Sequence, residues 1–322
     1  MRKLVLILGW MAALATGSSS AADESLRLGL VTFGTAAWEV DVMHRHGLDS
    51  AADLHIDKVE LADPAAGEVA LQAGGVDAIM TDWLWVSRQR HAGQHIVFVP
   101  HSSALGEILV PAGSPLTSLA DLPGKRLGVA GGPLDKSWLL LRAYGRQKLG
   151  GDLADRLQPQ FAAPPLLSLE LTKGRLDAVL TFWPFAARLE AQGYRPLASM
   201  AEVMEGLGFS PPVPMLGYAF SERWIAAHPD ATRRFMTALD KADRLMGDEA
   251  EWAVLKPLTG APDEATSAAL RQHFLAGLVA DPAAGATGAA RLYALLATMG
   301  GAGLTGGAAE IAPGTFWGDG PS

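Results

Sequence analysis

The chain has 322 residues, 49% of them hydrophobic, with 34 Asp+Glu against 26 Lys+Arg and no cysteine. That length and hydrophobic content can bury a large core, as one big domain or two ordinary ones, which argues against global disorder. A net charge of -8 without a basic run disfavours nucleic acid, and the missing cysteine excludes disulfides, thiolate metal sites and a lipid-modified N-terminal cysteine.

The N-terminus opens with Arg2 and Lys3, runs through an apolar stretch from Leu4 to about Ala15, and closes on Ser19, Ser20, Ala21 and Ala22. This is the layout of a secretory signal peptide cleaved after Ala21 or Ala22. Its core is too short and too rich in small residues to span a bilayer, and no later run reaches the roughly 18 residues of a membrane helix. The expectation is a mature protein free in the periplasm, not lipid-anchored, with a formal charge of about -10 once Arg2 and Lys3 are removed.

The segment Leu26 to Val31 reads as a short apolar strand that ends in the loop Thr32-Phe33-Gly34-Thr35. Leu54 to Leu61 follows as a strand, Pro64 to Ala73 as a helix, Ala78 to Met80 as a buried strand tip and Ile96 to Val99 as another strand. Alternating strands and helices predict an open α/β sheet, in which ligands sit beyond the carboxyl ends of strands; the loops after Val31 and Met80 are therefore candidate site loops.

A second unit begins near Ser103 and repeats this grammar. Leu105 to Val110 reads as a strand, Leu116 to Leu122 as a helical piece, Leu127 to Ala130 as a strand, and Gly131-Gly132-Pro133 leads into a helix carrying Trp138 to Lys148. Gly174-Arg175-Leu176-Asp177-Ala178-Val179, with its strand at Ala178 to Thr181, echoes Gly75-Val76-Asp77-Ala78-Ile79-Met80, which implies two similar halves. Prolines 211, 212 and 214 exclude regular helix over 206–218, where the chain is expected to cross back to the first half. Ser221 is the expected N-cap for Glu222 to Ala227, and Pro229 the first residue of a helix reaching Met246. Further helices are expected at Asp263 to Leu278 and Thr287 to Met299, and Phe316-Trp317 should pin the Gly/Ala-rich tail to the surface.

Three strings resemble a known family: Leu71-Gln72-Ala73-Gly74-Gly75-Val76-Asp77-Ala78, Leu119 through Val129 (LADLPGKRLGV), and Leu171-Thr172-Lys173-Gly174-Arg175-Leu176-Asp177-Ala178. Together and in this order they are similar to the nitrate, sulfonate, taurine and thiamine-precursor binding proteins of bacterial ABC importers, a group related to the NMT1/THI5 fold. The resemblance implies a type II periplasmic-binding-protein fold, two α/β lobes joined by a hinge. Lobe 1 would comprise 23–103 plus 216–322 and lobe 2 104–215, with 1–22 as signal peptide. It also implies a monomer that carries a small-molecule solute to ABC permease subunits, with no cofactor. Asp77 and Asp177, just before buried strands, are read as turn-closing carboxylates that accept backbone N–H groups.

The family holds its ligand between the lobes, and the matching loops here are aromatic. They supply Phe33, Thr35 and Trp38, then Asp82, Trp83 and Trp85, then Phe182 and Trp183. A flat, stacking solute fits them; core aromatics are the plain alternative, and Trp83-Leu84-Trp85, if extended, turns at most one face to a cleft. The turn Gly131 to Trp138 is the second candidate, with Gly132, Lys136 and Ser137 at a helix start that could attract an anion, unless Asp135 caps that helix and occupies the donors. Glu39, Asp82 and Asp135 could equally select a cationic or N–H-donating solute, so the sign of the ligand's charge stays open.

His44, His46, His91, His95 and His101 do not form a metal motif in this pattern, because Gly93 and the strand from Ile96 argue against a shared helical face for His91 and His95. An enzyme reading is opposed by the absence of a cysteine nucleophile, of a Gly-x-Ser-x-Gly elbow and, through the signal peptide, of a cytoplasmic location. The expected mechanism is hinge closure, with hinges near His101 to Gly106 and Val213 to Tyr218. The expected solute is aromatic or heteroaromatic, because the cleft loops lack an obvious arginine or histidine for an oxyanion; the alternatives are a binder of a sulfonate- or nitrate-type anion and a periplasmic cofactor carrier that serves a partner other than a permease.

Overall fold

The structure, a computed structural model, describes residues 24–32, 34–210, 213–279 and 288–318. The signal peptide, Phe33, Pro211, Pro212 and the expected helix start at Thr287 lie outside the described residues.

The first unit runs β1 (Glu24–Val31), α1 (Ala36–Arg45), β2 (Leu54–Leu61), α2 (Pro64–Gln72), β3 (Ala78–Asp82), α3 (Trp83–His91) and β4 (Ile96–Ser102). The second runs β5 (Gly106–Val110), β6 (Arg126–Ala130), α4 (Lys136–Lys148), β7 (Gln158–Ala162), α5 (Pro164–Thr172), β8 (Ala178–Phe182), α6 (Trp183–Ala191), β9 (Arg195–Ser199) and α7 (Met200–Gly206). The chain then returns through β10 (Leu216–Ser221) to the helices α8 (Glu222–Ala227), α9 (Ala231–Leu245), α10 (Glu249–Thr259), α11 (Glu264–Gly277) and α12 (Ala289–Thr305).

Two five-stranded sheets result, ordered β2-β1-β3-β10-β4 and β7-β6-β8-β5-β9. In the first, β1 is parallel to β2 and β3 while β10 runs antiparallel to β3 and β4; in the second, β6 is parallel to β7 and β8 while β5 runs antiparallel to β8 and β9. The internal echo in the sequence is thus a repeat of architecture, a two-lobed mixed α/β fold. Each lobe uses the same tie: Asp77 accepts from the Arg27 backbone N–H at 3.0 Å and from its guanidinium, and Asp177 accepts from the Arg126 backbone N–H at 2.8 Å and likewise from its side chain.

The chain changes sheets between β4 and β5, at 103–105, and again between α7 and β10. Each passage meets a strand that demands glycine: a Cβ at Gly106 would lie 2.0 Å from the Thr181 carbonyl oxygen, and one at Gly217 would lie 2.1 Å from that of Val99. The C-terminal helices then tie the halves together, α11 packing on α6, and α12, kinked at Gly301, packing on both α3 and α4. Phe316 bridges to Phe98 and is buried, which holds the tail to the edge strand β4.

Local departures from the expected elements have simple causes. The helix expected from Pro229 begins at Ala231 with Asp230 in the N-cap position, because the chain turns at His228. Ser221 precedes α8 without a side-chain capping bond. The piece at Leu116 to Leu122 is a single 3-10 turn, Leu119–Asp121, held by a Ser118/Asp121 capping box. His91 does end a helix, with Gly93 at positive φ turning the chain toward β4 before His95.

Candidate functional site

Under the junction of α1, β4, β10 and α9, four polar side chains meet in an apolar interior: Glu39 (1% exposed), His101 (8%), Tyr218 (0%) and Asp243 (8%). The Glu39 carboxylate takes two hydrogen bonds, with His101 Nε2 2.5 Å from Oε1 and the Tyr218 hydroxyl donating to Oε2 at 3.1 Å. Asp243 completes the group: one ligating atom each of Glu39, His101 and Asp243 lies within 4.8 Å of the others. Its Oδ1 is buried, and the protonated carboxyl hydrogen-bonds to the Glu39 carboxylate. Burial, reinforced by the Glu39 charge, pushes the Asp243 carboxyl far above the usual carboxylate range, so that it holds its proton at neutral pH; burial and Glu39 likewise raise the Tyr218 hydroxyl.

Over this floor lies a cavity of about 20 Å³, room for about one water molecule. Its walls include Thr35, Met80, His101 and Phe274, with Glu39 at the base and Trp183 reaching in from the other sheet's unit. Trp183 is the first residue of α6, where the following proline suits the first helical turn, and its N–H donates to the Leu105 carbonyl in the first passage at 3.3 Å. Its ring meets Trp38 edge-on at 5.9 Å and Phe274 at 6.3 Å, while Trp38 in turn stands edge-on to Trp252. An aromatic wall thus faces a carboxylate and an imidazole across the seam between the sheets. Among the described residues, no arginine or lysine lines the cavity.

A second contact spans the same seam. Asp82, the N-cap of α3, accepts from the Trp85 N–H at 2.9 Å and from Lys136 Nζ, at the start of α4, at 2.6 Å. Burial works against the Lys136 charge, but the carboxylates of Asp82 and Asp135 outweigh it and raise its pKa. Asp135 accepts from the Ser137 and Trp138 N–H groups at 2.9 and 3.3 Å, and so occupies the helix-start donors that an anion would use.

Of the residues expected at the site, Thr35 and Trp183 line the cavity, Trp38 backs Trp183, and Asp82 and Lys136 form the ion pair beside it. Ser137 is buried with its N–H on Asp135, and the Gly132 carbonyl accepts the Asp135 N–H. Phe182 is half-buried and packs on the core of the second sheet. Trp83 belongs to the core, not the cleft: helix α3 starts at this residue, and its indole N–H donates to the Pro214 carbonyl at 3.0 Å with Tyr293 stacked on the ring. Phe33 lies outside the described residues.

Sequence reasoning placed His101 and Tyr218 only at hinges, after setting His101 aside as a metal candidate, and passed over Asp243. A signal existed for Asp243, four residues after Leu239 and eight after Phe235, on the buried stripe of a strongly amphipathic helix. No comparable signal marks Tyr218, which looks like any strand aromatic.

The geometry defines the class: two α/β lobes joined by two passages, with a polar-floored cavity in the seam, the fold of periplasmic binding proteins. Residues 44–251 match the NMT1/THI5-like family, and the chain belongs to it. Among solved structures, it is similar to the periplasmic aliphatic sulphonate-binding protein SsuA of Escherichia coli, with a TM-score of 0.64 and 22% identity over 78% of this chain and 83% of that one. It is also similar to the alkanesulfonate-binding protein SsuA of Xanthomonas axonopodis pv. citri bound to MOPS, with a TM-score of 0.68 and 21% identity over 92% of this chain and 99% of that one. The desulfurization enzyme DSZB shares the fold at a TM-score of 0.57 and 16% identity, covering 85% of this chain and 92% of that one. No curated protein matches the sequence. Among the described residues, no helix is long and apolar enough to cross a membrane.

Proposed function

We propose that this chain is the periplasmic solute-binding component of an ABC-type importer, exported through its N-terminal signal peptide and acting as a monomer that delivers its solute to membrane permease subunits. Lobe 1 is formed by 23–103 plus 216–322 and lobe 2 by 104–215; the solute enters between them and the lobes close on it. The hinge lies near His101 to Gly106 and Val213 to Tyr218. Closure is favoured because only the closed form lets both lobes touch one solute.

The solute is small and aromatic or heteroaromatic, with a polar end. The observation that carries this reading is Trp183 facing Glu39 and His101 across the cavity: an apolar plane on one lobe, a hydrogen-bonding floor on the other. A sulfonate or nitrate, as the sulfonate-binding relatives suggest, meets less support. The Glu39 carboxylate repels an anion, Asp82 already neutralises Lys136, and Asp135 caps the α4 start. The enzyme reading draws only on the fold shared with DSZB, since the chain has neither a cysteine nor a Gly-x-Ser-x-Gly elbow.

The test is a thermal-shift screen of the mature protein, from Ala22 onward, against inorganic oxyanions, alkyl sulfonates, and pyrimidine and quinone cofactors, with tryptophan fluorescence read in parallel. A shift with quenching by one aromatic compound, lost in Trp183→Ala, supports the reading. A response confined to nitrate or sulfonates overturns the solute class.

A further inference from the structure

We infer that Glu107, Glu190 and His273 form a proton-operated latch between the lobes, one that favours the closed form in mildly acid medium and releases it as pH rises. The inference rests on the closing of two lobes proposed above and adds to it a means of regulation.

The first observation is position. Glu107 lies on β5, one residue past Gly106 where the chain enters the second sheet, and Glu190 lies on α6; His273 reaches them from α11, in the segment assigned to the other lobe. His273 Nδ1 is 3.5 Å from Glu107 Oε1, and its Nε2 is 3.2 Å from Glu190 Oε1. The same two helices carry the aromatic wall of the cavity: Trp183 opens α6, Phe274 follows His273 on α11, and the two rings meet at 6.3 Å. The cavity therefore cannot open along this wall without drawing α11 off α6 and parting His273 from the carboxylates.

The second observation is the charge count. Two carboxylates meet where the three side chains are only 11 to 26% exposed, and the positive partner is an imidazole. Glu202, from α7, adds a further negative charge near Glu107. The fixed cations on the packed elements are turned to other partners. Arg188 of α6 donates to the Thr259 and Gly260 carbonyls, Arg195 of β9 to that of Leu116, and Arg271 of α11 to that of Gly247. Glu170 of α5 and Glu264 of α11 are paired with Arg175 and Lys256. The contact is thus neutral only while it keeps its protons.

In that neutral state Glu107 is protonated and donates to the Glu190 carboxylate, and His273 is an imidazolium. Burial and Glu190 raise Glu107 from 4.5 to about 7; burial opposes the His273 charge, but Glu190 and Glu107 outweigh it and raise that group as well. Burial opposes the Glu190 charge too, but hydrogen bonds with His273 and Glu107 lower its pKa, so it stays ionised throughout. Once α11 withdraws, water returns and the groups titrate near their ordinary values. The closed form therefore holds extra protons, so closure is favoured in acid and is lost as pH rises through about 7. For Glu107 alone, the closing constant should fall roughly 10 to 30-fold from pH 5.5 to 8.

The chain has no cysteine, so two can be introduced for labelling. Val69→Cys and Leu169→Cys place fluorophores at exposed positions of α2 and α5, one on each lobe. Energy transfer in the mature, solute-free protein then gives the closed and open fractions between pH 5.5 and 8, where the parent should show the fall just given. Glu107→Gln keeps a donor toward Glu190 without the ionisation, and should lose most of that change by staying closed at pH 8. His273→Gln should lower the closed fraction at pH 5.5 far more than at pH 8. The double variant H44Q/H46Q, which removes histidines paired with Asp49 and Glu251, should keep the parental profile. Two separate variants carry the assignment, so misfolding of one leaves the other to decide. Two populations whose ratio ignores pH overturn the latch and leave lobe closure standing, and so does a parental profile retained in Glu107→Gln and His273→Gln. A single distance at every pH removes closure and the latch with it.

Discussion

Replacing Lys136 by Met removes the ammonium that joins α4 to Asp82 while keeping an apolar stem of similar reach. The pair is tight, 2.6 Å, and the side chains are only 26% and 9% exposed, so solvent screens it incompletely. At an effective dielectric near 20, unit charges about 3 to 4 Å apart attract by roughly 4 to 5 kcal/mol. Stripping water from both groups returns most of that, leaving about 1 to 2 kcal/mol in favour of contact between the lobes. When the lobes part, both charges regain water, so this difference acts on closure more than on folding. A 5 to 30-fold shift toward the open form is expected. Small-angle scattering should show a larger radius of gyration for Lys136→Met than for the parent, and any solute found in the screen should bind more weakly by a similar factor. Added salt should affect the parent only slightly, because the contact is partly buried. An unchanged radius together with unchanged solute affinity would refute the assignment of this pair as a latch between lobes.

Three further outcomes can be checked. Burial opposes ionisation of Asp152, but Arg142, the Ala154 N–H and Arg146 overcome it and hold the carboxyl at about 2, so its contribution to stability is complete above about pH 4 and is lost as pH falls through 2. Asp152→Asn should cost about 2 kcal/mol in urea unfolding at pH 7 and much less at pH 2. Burial and Glu190 raise Glu107 to about 7, and His273, desolvated but bonded to Glu190 and facing Glu107, is also raised. Both groups hold extra protons in the folded form, so stability declines as pH rises from about 5 to 8. Glu107→Gln should flatten that decline in melting temperature across the series, and a parallel slope in both proteins would sink the assignment. Gly217→Ala forces a Cβ onto the Val99 carbonyl, and should lower the melting temperature sharply without changing the far-ultraviolet circular dichroism shape at low temperature.

Much of the architecture was legible because the period of the pattern and the turn chemistry are local. The two Gly-x-x-Asp-Ala strings were placed from short apolar runs behind glycine turns, and the echo between them was enough to imply paired halves. The same is true of Asp77 and Asp177, whose position before a buried strand predicts a turn-closing carboxylate; only the arginine that each one also grips, some 50 residues earlier in the chain, was out of sight.

The site was less legible. Trp38, Trp83 and Trp183 are equally hydrophobic in the sequence, yet one backs the cavity, one is sealed under the second passage and one faces the cleft. What separates them is the direction in which a helix start points its first side chain once the sheets are placed. Lys136 and Asp82 carry opposite charges on different units, and nothing local says that they touch. Glu39, His101, Tyr218 and Asp243 come from two helices and two strands spread over 205 positions of the chain, 39 to 243. The amino-acid sequence by itself determined the class of fold, its two halves and its family, since these rest on repeating local patterns. The tertiary structure alone decided which polar groups share a dry interior, because burial and mutual charge are properties of neighbours in space and not in sequence.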